Sequence, residues 1–165
     1  VACARGDVLL VLHADCLLKP GAAGRVLAAL NRDCSLVGGA MAMAFDRSRP
    51  ATRLLVLLNN WRTRLSGIAF GDQGQFFVHS VLPAIGGFPE LMLMEDVELA
   101  LRLKGAGRLA FLPEGIEASS RRWVRGPFGP QVWLVLRLCV GYLFHRRLGD
   151  PEGASRRYYR LYYGS

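Results

Sequence analysis

Lysine is almost missing from this chain: Lys19 and Lys104 are the only two, so 19 of its 21 basic side chains are arginine. A basic surface built this way suits bidentate contact with phosphate better than diffuse solvation. The four cysteines, Cys3, Cys16, Cys34 and Cys139, show no Cys-x-x-Cys spacing, which argues against a zinc site or disulfide framework and for a reducing compartment. No apolar run reaches the roughly 20 residues a spanning helix needs. Residues 1 to 12 lack the basic region, apolar core and small-residue cleavage site of a secretory leader. No internal repeat is present, and at 52% hydrophobic residues over 165 positions the chain has the makings of a real core rather than of disorder.

Charge is distributed unevenly. Residues 1 to 118 hold 12 basic and 11 acidic side chains, whereas residues 119 to 165 hold nine arginines against only Asp150 and Glu152. The C-terminal third therefore points to phosphate on a nucleotide, a lipid surface or a nucleic acid. No nucleic-acid motif accompanies it, and the arginines sit among apolar residues, so a nucleic-acid partner is not expected.

The run Asp7-Val-Leu-Leu-Val-Leu12 reads as a strand buried on both faces, as in parallel sheets, and it delivers His13-Ala14-Asp15 at its carboxyl end, where α/β sheets bind ligands. Asp15 is a candidate metal ligand; the alternative, a helix cap, is disfavoured because the next helix is expected only after Lys19-Pro20-Gly21. Residues 21 to 31 read as an amphipathic helix. Residues 35 to 45 read as a strand in which Gly38-Gly39 permits a bulge or close backbone approach. Over 51 to 66, Leu54, Leu55, Leu58, Trp61 and Leu65 recur at helical spacing, with Asn59, Asn60, Arg62 and Arg64 covering the other side.

Gly71-Asp72-Gln73-Gly74 is either a plain turn or a loop whose glycines free Asp72 and Gln73 to meet a ligand. It leads into a short strand, Gln75 to His79. A glycine turn, Gly86-Gly87-Phe88-Pro89, runs through a greasy loop into a helix over 95 to 104 that opens on Glu95-Asp96. Adjacent residues project about 100° apart, so one of these carboxylates is free to face a cleft unless both merely complement the helix terminus. Residues 109 to 112 read as a further strand, and the alternation predicts an α/β fold. Arg121, Arg122 and Arg125 around Trp123 either close over a diphosphate or form a solvated basic loop. Residues 131 to 145 are apolar, broken by Arg137 and bounded by His145-Arg146-Arg147, which suits core or protein packing or a position at a membrane interface.

Taken in order, His13-Ala14-Asp15, Gly71-Asp72-Gln73-Gly74, Gly86-Gly87-Phe88-Pro89, Met94-Glu95-Asp96 and Ser120-Arg121-Arg122-Trp123 resemble the motifs of the family-2 glycosyltransferases of GT-A fold. The likeness is nearest to the bacterial branch associated with radical-SAM and selenium-related domains, and it covers about residues 4 to 160. It implies a GT-A-like, Rossmann-like α/β fold with a mostly parallel sheet flanked by helices, over 1 to 125, followed by a basic, apolar helical extension over 126 to 165. It also implies an inverting enzyme that moves a sugar from a nucleotide-diphosphate donor to a lipid-linked or saccharide acceptor.

By the same resemblance Asp15, with His13, corresponds to the carboxylate motif that holds Mg²⁺ or Mn²⁺ against the donor. Asp96 corresponds to the catalytic base, with Glu95 beside it. Arg121, Arg122 and Trp123 correspond to the segment near the leaving diphosphate, and Gly71, Asp72, Gln73 and Gly74 lie toward the acceptor. His13 replaces the first carboxylate of the motif. The family's first strands have no counterpart before Val1, which predicts a chain truncated at its N-terminus, poor in nucleotide affinity and prone to associate through exposed sheet edge. A cytoplasmic location, at the inner face of the membrane, is expected. The competing expectation is a non-catalytic module that attaches to a membrane or partner through the basic C-terminal third.

Overall fold

The computed structural model describes residues 3–47, 49–121, 123 and 128–164, which fall into two compact units, Val1–Phe88 with Asp96–Ser120 and Pro89–Glu95 with Arg121–Ser165. The greasy loop before Asp96 belongs with the C-terminal helices.

The first unit is α/β. Its strands are β1 (Val8–Val11), β2 (Cys16–Leu18), β3 (Leu36–Phe45), β4 (Gln75–Val78) and β5 (Arg108–Ala118), ordered β1-β4-β3-β5-β2. Only β3 and β5 run parallel; β1 with β4, β4 with β3 and β2 with β5 are antiparallel. The sheet is thus mixed, and the expectation of a mostly parallel one is overturned. The reason lies in β1, whose apolar run pairs antiparallel with β4 at a sheet edge. An uninterrupted apolar run reports burial on both faces, and does not by itself report direction.

The sheet is also curled. Five flat strands would set their edges about 19 Å apart. Yet β1 and β2, the two edge strands, are joined by residues 12 to 15 alone, a stretch that reaches about 17 Å when fully extended and here contains a turn, Cys16 N–H to His13 O at 3.0 Å. The edges must bend toward each other, and residues 13 to 15 bridge them.

Helix α1 (Ala22–Arg32) starts after Gly21, whose φ of 74° is one that glycine adopts freely. It places Ala22 and Val26 on Cys16, Met41, Phe76 and Ile116. Helix α3 (Glu95–Ala106) places Leu99 and Leu103 against Leu9, Phe77, Val81 and Ile85. Phe76 and Phe77 are neighbours on β4, so they point to opposite faces, and each anchors one of these two layers. Gly38 and Gly39 sit where a Cβ would collide with Phe76 O and Ala110 O respectively, and the β3–β5 register shifts between Leu36 and Gly38. The close approach read from the sequence is present.

Helix α2 (Pro50–Ser66) turns most of its leucine stripe to solvent. Leu54, Leu58, Trp61 and Leu65 are exposed, while Thr52 and Thr63 are buried. Asn60 accepts from Met43 N–H at 3.1 Å and donates to Met43 O at 3.0 Å, substituting for a ladder partner beside β3. Hydrogen bonds, not the apolar stripe, seat this helix.

In the second unit, α4 (Phe128–Arg147) and α5 (Pro151–Tyr163) pack through Leu138, Tyr142, Ala154, Ser155 and Tyr158. Asp150 caps α5 by accepting from Gly153 N–H at 2.9 Å. Ser155 Oγ accepts from Leu93 N–H at 3.0 Å and donates to Leu93 O at 2.9 Å, tying the loop before α3 to α5. The tyrosine-rich end is therefore helical. Among the described residues no helix is long and apolar enough to cross a membrane.

Candidate active site

Three stretches far apart in sequence meet in the first unit: the 13–15 bridge, the 71–74 loop and the first turn of α3. Gly71 N–H donates to Asp96 Oδ2 at 2.6 Å, and Val97 N–H donates to Asp96 Oδ1 at 2.7 Å. The carboxylate is held by its own helix terminus on one side and by the glycine loop on the other. A Cβ on Gly71 would run into the His13 ring, so this glycine lets the imidazole lie over the loop. His13 Nδ1 is 3.8 Å from Asp15 Oδ1, and both side chains are about half exposed.

Asp72 stands out electrostatically. Its Oδ1 is buried without a hydrogen-bond partner. Burial pushes its carboxyl up to about 6, helped by the Asp96 charge and, more weakly, by Asp15, and opposed by His13 and Arg62. Burial also raises Asp96, against the stabilising pull of the Gly71 and Val97 amides and of His13. A carboxyl raised above its ordinary range by burial and by the charge of a second carboxyl beside it is suited to holding and passing a proton.

Gln73 is turned the other way. It is fully buried; its Oε1 accepts from Thr63 Oγ1 at 2.6 Å and Phe70 N–H at 3.1 Å, and its Nε2 donates to Asn60 Oδ1 at 3.3 Å. That amide braces the loop from inside. Gly74, at φ 51°, turns the chain into β4. Gln75 completes the scaffold by donating to Ala69 O at 3.2 Å and Asp96 O at 2.9 Å. Arg62 donates to Ile68 O at 2.6 Å and lies over the Phe70 ring at 3.8 Å. The sequence places Asn60 only on the polar side of a helix and Gln75 only at the start of a strand, and gives Thr63 no role; the signal for their bracing of the loop is two polar residues three apart on a helix, followed by a second glutamine after the glycine loop.

Cys16 is buried beside Asp15, its Sγ 3.6 Å from Asp15 Oδ1, and burial followed by the Asp15 and Asp72 charges pushes the thiol up to about 12. Among the described residues no group of three or more His, Cys, Asp or Glu side chains is gathered to hold a metal ion. Glu95 opens α3 and belongs, with Arg121 and Trp123, to the second unit, where the Trp123 and Phe128 rings lie 6.0 Å apart. Arg122 and Arg125 lie outside the described residues. No protein-family model matches the chain, and no curated protein matches its sequence.

Proposed function

We propose that this chain belongs to an inverting glycosyltransferase acting on a nucleotide-sugar donor. The observation that supports the reading is the convergence of Asp15, Asp72 and Asp96, from three separate motifs, into one electrostatically coupled group beside His13. In this mechanism Asp96 accepts the proton of the acceptor hydroxyl as that oxygen attacks the sugar from the face opposite the leaving diphosphate. Its two backbone hydrogen bonds fix its orientation, and burial keeps it basic enough for the task. Asp72, with one oxygen unpartnered, positions the acceptor hydroxyl or relays its proton.

One carboxylate and one imidazole, both half exposed, leave coordination positions open for phosphate oxygens, so Asp15 with His13 would hold Mg²⁺ or Mn²⁺. The ion would supply positive charge to the departing diphosphate. The test is titration of UDP and of GDP, with and without Mn²⁺, into this chain and into a form extended upstream. Metal-dependent binding to the extended form supports the assignment. Absence of binding to both, in folded samples, would overturn it.

A further inference from the structure

On α2, Leu54, Leu57, Leu58, Trp61 and Leu65 are each between 52% and 67% exposed. At 100° per residue they occupy one arc of about 100° along a helix some 25 Å long. Scattered apolar residues on a surface need no explanation, but five large ones in a continuous stripe do. The rest of the helix circumference shows that this is no accident of loose packing. Asn60 grips the β3 backbone, Thr63 donates to Gln73, and Arg62 donates to Ile68 O, so the apolar arc is held outward by specific hydrogen bonds.

Charge identifies what meets the stripe. Helix α2 contains Arg53, Arg62 and Arg64 and no acidic residue. Arg53 and Arg64, both exposed, lie about 20° apart on one margin of the apolar arc. We propose that this face docks on an anionic lipid bilayer, the leucines and Trp61 entering the interface while the marginal arginines meet lipid phosphate. Tryptophan at the centre of the stripe suits this boundary, since the ring has an apolar body and one N–H for a polar partner. A second copy is a poorer occupant. Antiparallel pairing of two α2 helices would bring Arg53 of each toward Arg64 of the other, with no carboxylate on either helix to compensate.

The same chemistry recurs on α4 of the second unit. Trp133, Leu136, Val140 and Phe144 are exposed at helical spacing, Arg137 and Arg147 are exposed with them, and α4 has no acidic residue. The proposal concerns attachment and is independent of the transferase reading.

The experiment is flotation of the full chain with phosphatidylcholine vesicles and with vesicles containing phosphatidylglycerol. The variants are Leu57→Gln/Trp61→Gln and Arg53→Gln/Arg64→Gln, each checked for folding by circular dichroism. The chain is expected to float only with the anionic vesicles and less at high salt. The apolar double substitution should lower partition by about tenfold or more, and the arginine pair should lower it and flatten the salt dependence. Three results would overturn the proposal: no flotation of folded protein, flotation that the α2 substitutions leave unchanged, or a lipid-free dimer that Leu57→Gln/Trp61→Gln dissociates.

Discussion

Gly71 donates its amide hydrogen to Asp96 Oδ2 at 2.6 Å, which couples the position of a loop backbone to the orientation of a carboxylate 25 residues further along. A Cβ at residue 71 would meet the His13 ring, so the position of that imidazole over the loop depends on glycine there.

If Asp96 is the base, Asp96→Asn loses the proton acceptor and keeps one of the two backbone contacts, since its single amide oxygen replaces only one of the two oxygens that accept from Gly71 N–H and Val97 N–H. Transfer from a nucleotide sugar should then fall by about 10² to 10⁴ in kcat. Gly71→Ala should act through geometry, displacing His13 with little change in thermal midpoint. Steady-state kinetics beside thermal melts separate the two effects.

Asp72 gives the fold a pH dependence of defined sign. Its folded pKa of about 6 lies above the ordinary carboxyl value of 3.8, so between these limits the folded state binds more protons than the unfolded state. Its ionisation therefore removes stability as pH rises from about 4 through 6. Asp72→Asn should raise stability at pH 8 by about 1–2 kcal/mol, with a smaller effect at pH 4.5. Urea denaturation at both pH values reads the difference.

Asn60 carries a structural load. Replacing it with Leu leaves the Met43 amide and carbonyl and the Gln73 amide without their partner, and should lower stability by about 2–4 kcal/mol. Trp61→Gln, one residue along on the exposed face, should change stability by less than about 0.5 kcal/mol. Equilibrium unfolding of the two variants tests whether α2 is seated by its polar side.

Thiol reactivity should divide the cysteines. Cys3 and Cys34 are exposed, whereas Cys16 is buried and its thiol is pushed up to about 12. Iodoacetamide at pH 8 should modify Cys3 and Cys34 rapidly and Cys16 only after unfolding, as read by peptide mass spectrometry.

The candidate site was legible residue by residue where local chemistry is distinctive. Glycines around Asp72 and acids at a helix start are local signals, and of the residues bearing them Asp72 and Asp96 meet. Gln73 shows the limit of such reading. Its neighbours marked it as a free loop side chain, yet Thr63 and Asn60, on a helix ten and thirteen residues earlier, turn its amide inward.

Local sequence alone determined that the chain is built of both strands and helices, that α1 begins past Gly21, and that Gly38-Gly39 is a place where the backbone can bulge or be closely approached, because periodicity and glycine geometry are properties of neighbouring residues. The short strand β2 directly after β1 carried no such signal. Strand direction, the curl of the sheet and the outward turn of α2 were decided only by tertiary structure. Direction depends on which strand a given strand pairs with, and an apolar run looks the same in either sense. For α2, a 3.6-residue pattern says that one face differs from the other, but which face meets the sheet depends on the hydrogen-bond groups waiting there. At Met43, Ile68 and Gln73 they favour asparagine, arginine and threonine over leucine.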